Sequence, residues 1–290
     1  MKMRHILTLI LVLIVIFFFI YAIWFLLTIH HTPQEFDPAP RDRRIVVSFS
    51  TIPSRMKYIP EMIKKLENQT LIPDAIYFNL PYKSIKENKD YPDFKIPDTY
   101  LNVIVNRCED VGPLTKLLPT LEKELDPETI IIIIDDDVVY QDYVFEKLVE
   151  ASTDSVKTVY SNSGWQYRHW PGFGKEGSNM MPFYTFQGVE SVVHGISGVV
   201  FKRKFFGDDF HPIDECFMVD DVLISSYLSL HGFILIKLRH PWLKSKISND
   251  ITLSSYNMIN WPYEKCRVAC AKEWSRDENI MYADFDRCKI

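Results

Sequence analysis

The sequence predicts an α/β fold in which helices cover both faces of a mostly parallel β-sheet. Strand-like and helix-like segments alternate four times between Arg44 and Ser161. The strand-like segments are unbroken apolar runs, which are typical of strands that are buried on both faces. A run of five isoleucines then leads directly into Asp135, Asp136 and Asp137. Because ligands of such sheets bind beyond the carboxyl ends of the strands, these aspartates mark the expected site.

The N-terminal segment predicts a membrane anchor. Residues 6–29 carry no formal charge and are nearly all apolar, and a helix of that length spans about 36 Å, enough to cross a bilayer with some tilt. A cleaved signal peptide is the alternative, but it would end in small residues where Trp24 and Phe25 stand. Basic residues in the 1–5 tail predict a cytoplasmic N-terminus and a type II orientation. The proline-containing stretch 30–44 predicts an extended stalk.

The first half of the folded part has the pattern strand, helix, strand. Residues 44–50 and 75–81 are apolar runs rich in strand-forming residues. Between them, apolar residues recur on one helix face from 59 to 66, and Pro60 suits the first turn of that helix. Residues 82–100 are polar and contain two prolines, and they predict a long surface loop.

The second half repeats the alternation. Strands are predicted at 101–106, 129–134 and 157–161. A helix is predicted at 114–125, bounded on both sides by proline-containing turns. Apolar residues from 144 to 149 form another helical stripe. These elements complete the alternation that a mostly parallel sheet requires.

The aspartate run predicts a site for a divalent cation. Carboxylate oxygens suit hard ions such as Mg²⁺ or Mn²⁺, which bind substrate phosphates through one or two protein carboxylates. In an extended segment Asp135 and Asp137 would point to one side and Asp136 to the other. The alternative is that the acids cap the following helix. One acid would be enough for a cap, so three favour a metal.

The segment 106–116 is a second candidate. Gly112 turns the chain, and the helix that follows could present its N-terminus to phosphate. Lys116 and Arg107 supply positive charge for a diphosphate, and Asp110 lies between them in the sequence. An ordinary turn before a helix is the alternative.

A third candidate is the acidic pair Asp220 and Asp221, which lies at the start of a helical stripe that Gly232 closes. Aspartate is a favoured N-cap, so capping explains one of the two acids. The second is then available as a general base.

Three weaker candidates lie around this pair. Trp165 and Trp170 belong to an aromatic stretch without periodicity, which predicts either a surface that stacks on sugar rings or a loop that packs its own aromatics. Gly195 and Gly198 stand beside a strand and allow a ligand to approach the backbone closely. His240 follows a strand and is a candidate metal ligand, with a structural histidine as the alternative.

Several of these segments together resemble nucleotide-sugar-dependent glycosyltransferases of the GT-A (Rossmann-like) fold, and the family 2-like group in particular. The resemblance is carried by "VVSFSTIPSR" with "IPEMIKKLENQT", by "AIYFNLP", and by the Asp-x-Asp motif in "IIDDD", and it covers roughly residues 44–240. It implies a GT-A catalytic domain at 45–245, followed by a cysteine-bearing extension at 246–290.

The resemblance also implies roles for residues. Asp135 is expected to face the donor ribose, and Asp137 to hold the metal on the diphosphate. Asp221 or Asp220 is expected to deprotonate the acceptor hydroxyl. The residues expected to contact the nucleotide sugar are Ser50, Thr51, Arg55, Asp110, Lys116, Asp135, Asp136, Gly195 and Gly198.

The predicted function is therefore a glycosyltransferase (hexosyl- or pentosyltransferase) that uses Mn²⁺ or Mg²⁺. Its expected donor is a UDP- or GDP-linked sugar, and its expected acceptor a glycan, glycoprotein or glycolipid. The net charge of −5, without a basic block, excludes nucleic acid as a partner. If the protein comes from a eukaryote or from a virus of a eukaryotic host, the membrane anchor predicts a lumenal domain in the Golgi or endoplasmic reticulum.

Two alternatives remain open at this stage. One is a non-catalytic carbohydrate-binding or scaffold protein on a degenerate transferase fold. The other is a nucleotidyltransferase, which would usually have a glycine-rich loop after the first strand, whereas the loop at 51–55 contains no glycine.

Overall fold

The computed structural model describes residues 43–152, 157–169, 180–183, 188–190, 192–247 and 270. All of them fall in the second of the two units into which the chain divides, which runs from Arg43 to Ile290. The predicted tail, the membrane anchor at 6–29 and the stalk up to residue 42 lie outside the described residues and stay predictions. None of the described helices is both long and apolar enough to cross a bilayer.

The described residues form strands, α-helices and short 3-10 helices. The strands are β1 Ile45–Ser50, β2 Ala75–Pro81, β3 Lys83–Ser84, β4 Lys89–Asp90, β5 Val103–Cys108, β6 Ile130–Ile133, β7 Val138–Tyr140, β8 Thr158–Ser161, β9 Gly164–His169, β10 Met180–Phe183, β11 Gly188–Glu190, β12 Val192–Val193, β13 Val199–Lys202, β14 Ile234–Lys237 and β15 Leu243–Lys246. The α-helices are α1 Ile59–Leu66, α2 Leu118–Lys123, α3 Val144–Ser152 and α4 Asp220–Leu230. The 3-10 helices are Pro53–Tyr58, Leu114–Lys116, Gly195–Ser197, Arg203–Phe205 and Asp214–Cys216.

The main sheet has eight strands within the described residues, in the order β11-β14-β8-β13-β6-β1-β2-β5. The strands β6, β1, β2 and β5 run parallel to their neighbours within this group, as do β14 and β8. Strand β13 is antiparallel to both β6 and β8, and β11 is antiparallel to β14. The predicted α/β fold with a mostly parallel, helix-flanked sheet is therefore confirmed, with β13 and β11 as reversed strands.

Both faces of the sheet are buried, which explains the isoleucine run. On β6, Ile131 and Ile133 pack into the core layer that includes α4, whereas Ile130 and Ile132 pack into the layer that includes α1 and α3. All four are at most 2% exposed. Each such side chain contributes about 1.5–3 kcal/mol by leaving water. An apolar residue is therefore favoured at every position of this strand.

Two predicted segments differ from the structure. The helix expected at 114–125 is divided into the 3-10 helix Leu114–Lys116 and α2, because Pro119 lies in the first turn of a new helix. The surface loop expected at 82–100 contains the hairpin β3–β4, so this prediction was wrong for residues 83–90. That hairpin forms part of the cleft described below.

The C-terminal segment contacts the rest of the fold at two points. Strand β15 pairs with β7 directly after the aspartate run, and the Ile247 N–H donates to the Asp137 carbonyl at 3.0 Å. Cys270 forms a disulfide with Cys216, four residues before α4. Cys108 is the free thiol among the described cysteines. The predicted extension therefore contacts elements that carry the acidic residues.

Candidate active site

A cleft of about 460 Å³ lies at the carboxyl ends of the parallel strands. Its walls come from the loops after β1, β2, β5 and β6, and from the start of α4. Segments that are up to 196 positions apart in the sequence, from Ser50 to Lys246, meet here. The predicted site residues that line this cleft are Ser50, Thr51, Arg55, Asp110, Lys116, Asp135, Asp136, Asp137, Asp220 and Asp221.

Tyr140 holds the aspartate run in place. Its buried hydroxyl accepts the Asp135 N–H at 2.9 Å and donates to the Ile196 carbonyl at 3.0 Å. The Ile134 N–H continues the β1–β6 pairing by donating to Ser48 at 3.0 Å. The loop after β6 is thus bonded to its surroundings through the backbone, which leaves the carboxylates available for other partners.

Lys116 is a buried cation in the centre of the site. Its ammonium contacts Asp135 Oδ1 and lies 3.2 Å from Asp220 Oδ2. Burial alone would lower the pKa of Lys116, but the charges of Asp135, Asp220 and Asp221 outweigh it and hold this pKa well above its ordinary value. Lys116 therefore stays protonated and supplies a fixed positive charge.

Arg55 is the second buried cation. Its guanidinium contacts Asp136 Oδ1 at 2.8 Å and Asp137 Oδ2 at 3.2 Å. The other oxygen of Asp136 accepts a hydrogen bond from the Thr51 hydroxyl. Both oxygens of Asp136 are thus engaged, and Asp136 is turned toward the first loop, away from Lys116. We interpret Asp136 as a positioning residue that holds the 51–55 loop.

Asp137 has an uncompensated oxygen. Its Oδ1 is buried and has no hydrogen-bond partner among the described residues. Burial, followed by the charge of Asp135, raises the pKa of Asp137 to about 6. A buried carboxylate oxygen without a donor is costly unless a cation satisfies it. Asp137 Oδ1 is therefore available as a ligand for a cation.

These residues fit a divalent cation. Six carboxylates line the described part of the cleft, and the five other than Asp110 face only two buried cations, Arg55 and Lys116. Asp137 Oδ1 and the partly exposed Asp135 are the oxygens that would hold Mn²⁺ or Mg²⁺. No cluster of three or more ligand side chains is preformed in the described residues, which agrees with ions that complete their shell with water and phosphate oxygens.

Asp221 is the acid most available for proton transfer. It does not cap α4, because Val219 occupies the N-cap position without a side-chain bond. Instead, Asp221 Oδ1 accepts the Gly195 N–H at 2.8 Å. Burial, followed by the charge of Asp220, raises the pKa of Asp221 to about 8. Asp220, in contrast, is ion-paired with Lys116.

The two predicted glycines have different surroundings. A Cβ on Gly195 would lie 2.9 Å from Lys116 Nζ and 3.2 Å from Asp221 Oδ1, so only glycine leaves this space open. Gly198 has a φ of +81° and lies against Leu148 and Val144 of α3. Gly198 is not among the described residues that line the cleft, and its predicted sugar contact stays a prediction. Its conformation serves the turn into β13.

Other predicted residues lie elsewhere or have other partners. His240 is exposed near Lys147 and Glu150 and is not among the residues that line the cleft, and desolvation and the Lys147 charge lower its pKa. Its predicted metal contact stays a prediction. Asp110 lines the cleft, but its oxygens accept N–H groups of Gly112 and Ile85 at 2.8 Å each. Trp165 lies in β9 without a described side chain, and Trp170 lies outside the described residues.

Sequence reasoning missed several residues of the cleft wall. The apolar side is formed by Ile196, Phe217 and Met218, and His194 is held there by Ser163, with 3.0 Å between His194 Nδ1 and the Ser163 hydroxyl. Such residues carry no local motif. His194 precedes Gly195 in the sequence, and this position beside a predicted site glycine is the one signal that could have indicated it. The other unpredicted polar lining residues are Ser84, Lys86, Tyr91, Thr115 and Lys246.

Comparison with solved structures identifies the fold. The mannosyltransferase PcManGT from Pyrobaculum calidifontis, in complex with GDP-Man and Mn²⁺, is similar with a TM-score of 0.53 and 14% identity over 86% of this chain and 69% of that one. TarS from S. aureus, in complex with UDP, gives a TM-score of 0.45 and 12% identity over 80% of this chain and 66% of that one. A scan against protein-family profiles finds no match, and a search of curated proteins finds no similar sequence. The first likeness shows that the chain shares the fold of this mannosyltransferase.

Proposed function

We propose that this protein is a metal-dependent glycosyltransferase that moves a sugar from a nucleoside-diphosphate donor to an acceptor hydroxyl. The observation that carries the proposal is the space beside Gly195, where Lys116 and Asp221 come within about 3 Å of one point and Asp135 is 3.6 Å from it. A fixed cation, a proton acceptor and a candidate metal ligand thus face the same position. These are the groups that glycosyl transfer from a diphosphate requires.

The donor side of the site would stabilise the leaving group. Lys116 remains protonated and is positioned to offset the charge that develops on the diphosphate as the glycosidic bond breaks. When bound, Mn²⁺ or Mg²⁺ would add positive charge against the same diphosphate, with Asp137 and Asp135 as its ligands. That a protein of similar fold was solved with GDP-Man and Mn²⁺ supports this class of donor.

The acceptor side would supply the base. Asp221 takes the proton of the acceptor hydroxyl. The hydroxyl oxygen attacks the anomeric carbon as the bond between that carbon and the diphosphate breaks. A single displacement of this kind inverts the anomeric centre. A pKa raised to about 8 makes the Asp221 carboxylate a stronger base than an ordinary one, and its ionised form predominates as pH rises above about 8. Asp220 is tied to Lys116 and acts as a positioning residue.

The remaining parts of the proposal follow from the sequence. The acceptor is a glycan, glycoprotein or glycolipid, and residues 6–29 anchor the protein in the membrane with the catalytic domain lumenal. The second candidate function is a non-catalytic carbohydrate-binding protein. The apolar wall of Ile196, Phe217 and Met218 is compatible with it, because such surfaces contact sugar rings. The buried, uncompensated acids favour catalysis over binding alone.

The full-length chain in detergent tests the proposal. We expect one class of nucleotide sugar to raise the melting temperature in Mn²⁺ but not in EDTA, and Asp137→Ala to abolish this stabilisation. We expect Asp221→Asn to keep the stabilisation and to lose sugar transfer. A folded wild-type chain that no nucleotide sugar stabilises would contradict the proposal. Donor binding without turnover on any acceptor would favour the carbohydrate-binding protein.

A further inference from the structure

The hairpin β3–β4 forms a wall of the cleft that the proposed function does not use. Residues 82–91, which we name the flap, are latched to the loops on either side. The Glu87 carboxylate accepts the Ser54 N–H at 3.2 Å and the Ser54 hydroxyl at 2.5 Å. The Tyr91 hydroxyl donates to the Thr51 carbonyl at 2.6 Å. The flap is therefore held against the first loop by one side chain at its tip and one at its C-terminal end.

A second latch joins the flap to the loop after β5. The Ile85 N–H donates to Asp110 Oδ2 at 2.8 Å, and Asp110 Oδ1 in turn accepts the Gly112 N–H at 2.8 Å. This explains why Asp110 lines the cleft although its oxygens are used by the backbone. The flap spans the space between two loops that both border the cleft.

The tip of the flap places Lys86 in the cleft wall. The tip comprises the four residues between β3 and β4, with Asn88 in the left-handed region at φ 50°. Lys86 is half-buried and lines the cleft, whereas Lys89 on the same hairpin leaves 67% of its side chain exposed. The two lysines share one hairpin but have different surroundings.

The charges around Lys86 favour an anionic ligand. Burial, followed by the positive charge of Arg55, lowers the pKa of Lys86 to about 8, although Glu87 and Asp136 act in the opposite direction. Glu87 is engaged by Ser54, and Asp136 by Arg55 and Thr51. Lys116, whose acids outweigh its burial, has a raised pKa instead. Nearby acids therefore raise the pKa of Lys86 less than they raise that of Lys116, and Arg55 adds a second positive charge beside Lys86.

We propose that Lys86 is a donor-binding residue, whose ammonium contacts the phosphate oxygens of a nucleoside diphosphate in this cleft. The inference rests on the proposed function, since it takes the nucleotide sugar as the ligand. It adds a contact from the flap to those expected from the loops after β1, β5 and β6. With Lys116, it gives the diphosphate two lysine contacts that come from different parts of the chain.

The test measures binding of nucleoside diphosphates and of the matching nucleosides to the full-length chain in Mn²⁺, by calorimetry. We expect Lys86→Met to weaken binding of the diphosphate by about 10- to 100-fold, the range of one charge-assisted hydrogen bond, and to leave nucleoside binding unchanged. Lys86→Arg should recover part of the loss. Lys89→Met is the matched control and should remain within about twofold of wild type, since it removes an exposed charge.

The outcomes separate this inference from the proposed function. If wild type binds a diphosphate and Lys86→Met binds it equally well, the role of Lys86 is overturned while the proposed function stands. Equal weakening of diphosphate and nucleoside also overturns it, because the contact would then not be to phosphate. A wild-type chain that binds no nucleoside diphosphate overturns both. Near-ultraviolet circular dichroism checks that each variant keeps its packing.

Discussion

The two ends of the parallel sheet treat buried acids in opposite ways. At the amino end, Glu124 accepts hydrogen bonds from Arg44 at 2.9 Å and from the Tyr77 hydroxyl at 2.7 Å. Thr129 lies 3.4 Å from its second oxygen. Burial alone would raise the pKa of Glu124, but these partners outweigh it and lower the pKa. One carboxylate has three donors there.

At the carboxyl end, acids outnumber their partners. Five carboxylates share Arg55 and Lys116, and burial raises the pKa values of Asp137 to about 6 and of Asp221 to about 8. The difference teaches that the number of donors per carboxylate, rather than burial itself, separates a structural acid from a reactive one. A satisfied acid stabilises the fold, whereas an unsatisfied acid is held ready for a cation or a proton.

The largest effect is expected for Asp221→Asn, which removes the proposed base at the carboxyl end of the sheet. Asp221→Asn should lower kcat by about 10²- to 10⁴-fold, because general base catalysis is lost. Asparagine keeps an acceptor for the Gly195 N–H, so the donor Kd should change little. Asp142→Asn, at an exposed pair with Lys244, is the control. Transfer by Asp221→Asn at the wild-type rate would show that another group is the base.

The second prediction concerns the loss of the Glu124 carboxylate at the amino end of the sheet. Glu124→Gln should lower the free energy of unfolding by about 2 to 3 kcal/mol, since it leaves Arg44 without its charge partner in a partly buried site. Its stabilising contribution is present above the ordinary pKa of 4.5 and is lost as pH falls through the lowered pKa. Chemical denaturation at pH 7 measures the effect. Glu150→Gln, at a solvent-accessible pair with Lys147, is the control and should cost less than about 0.5 kcal/mol.

The third prediction concerns the pH dependence of stability that Asp137 and Asp221 confer. The pKa values of Asp137 and Asp221 in the folded state lie above the ordinary value of 3.8. At a pH between the ordinary and the folded pKa of each group, the folded state therefore binds more protons than the unfolded state. Their contribution to stability is therefore present below about pH 4 and is lost as pH rises through about 6 and 8. Wild type without metal should lose roughly 1 to 2 kcal/mol between pH 5.5 and 8.5, after allowance for water in the cleft.

The double variant Asp137→Asn with Asp221→Asn tests this slope directly. Its unfolding free energy should change less with pH than that of wild type, and it should exceed the wild-type value at pH 8.5. Denaturation curves at several pH values measure both quantities. A slope as steep as that of wild type would mean that other groups carry the dependence.

The smallest expected effect separates two glycines that the sequence treats alike. Gly198→Ala should destabilise the fold by about 1 kcal/mol or more, because an alanine is strained at its positive φ, and donor binding should be unchanged. Gly195→Ala should chiefly reduce activity, because its methyl group would enter the space between Lys116 and Asp221. Paired measurements of melting temperature and turnover check this. Equal effects of both substitutions on turnover would contradict the assignment.

Much of the fold could be predicted, because the signals are local. The five main-sheet strands up to Ser161 were predicted from apolar runs, and the strand predicted at 101–106 spans Val103–Cys108. The reversal of β13 was not predicted, since strand direction depends on the path of the chain between elements. The hairpin in residues 82–91 was missed because short polar strands lack a hydrophobic period.

The site divides in the same way. The sequence by itself determined that Asp135, Asp136 and Asp137 lie together at a strand end. They directly follow a buried apolar strand, so they have to lie where that strand leaves the core. Only the tertiary structure decided which cation meets which acid. Arg55 and Asp136 are 81 positions apart, and Lys116 and Asp220 are 104 apart. Partner counts and burial set the state of each carboxylate, and both are properties of the assembled cleft rather than of any one segment.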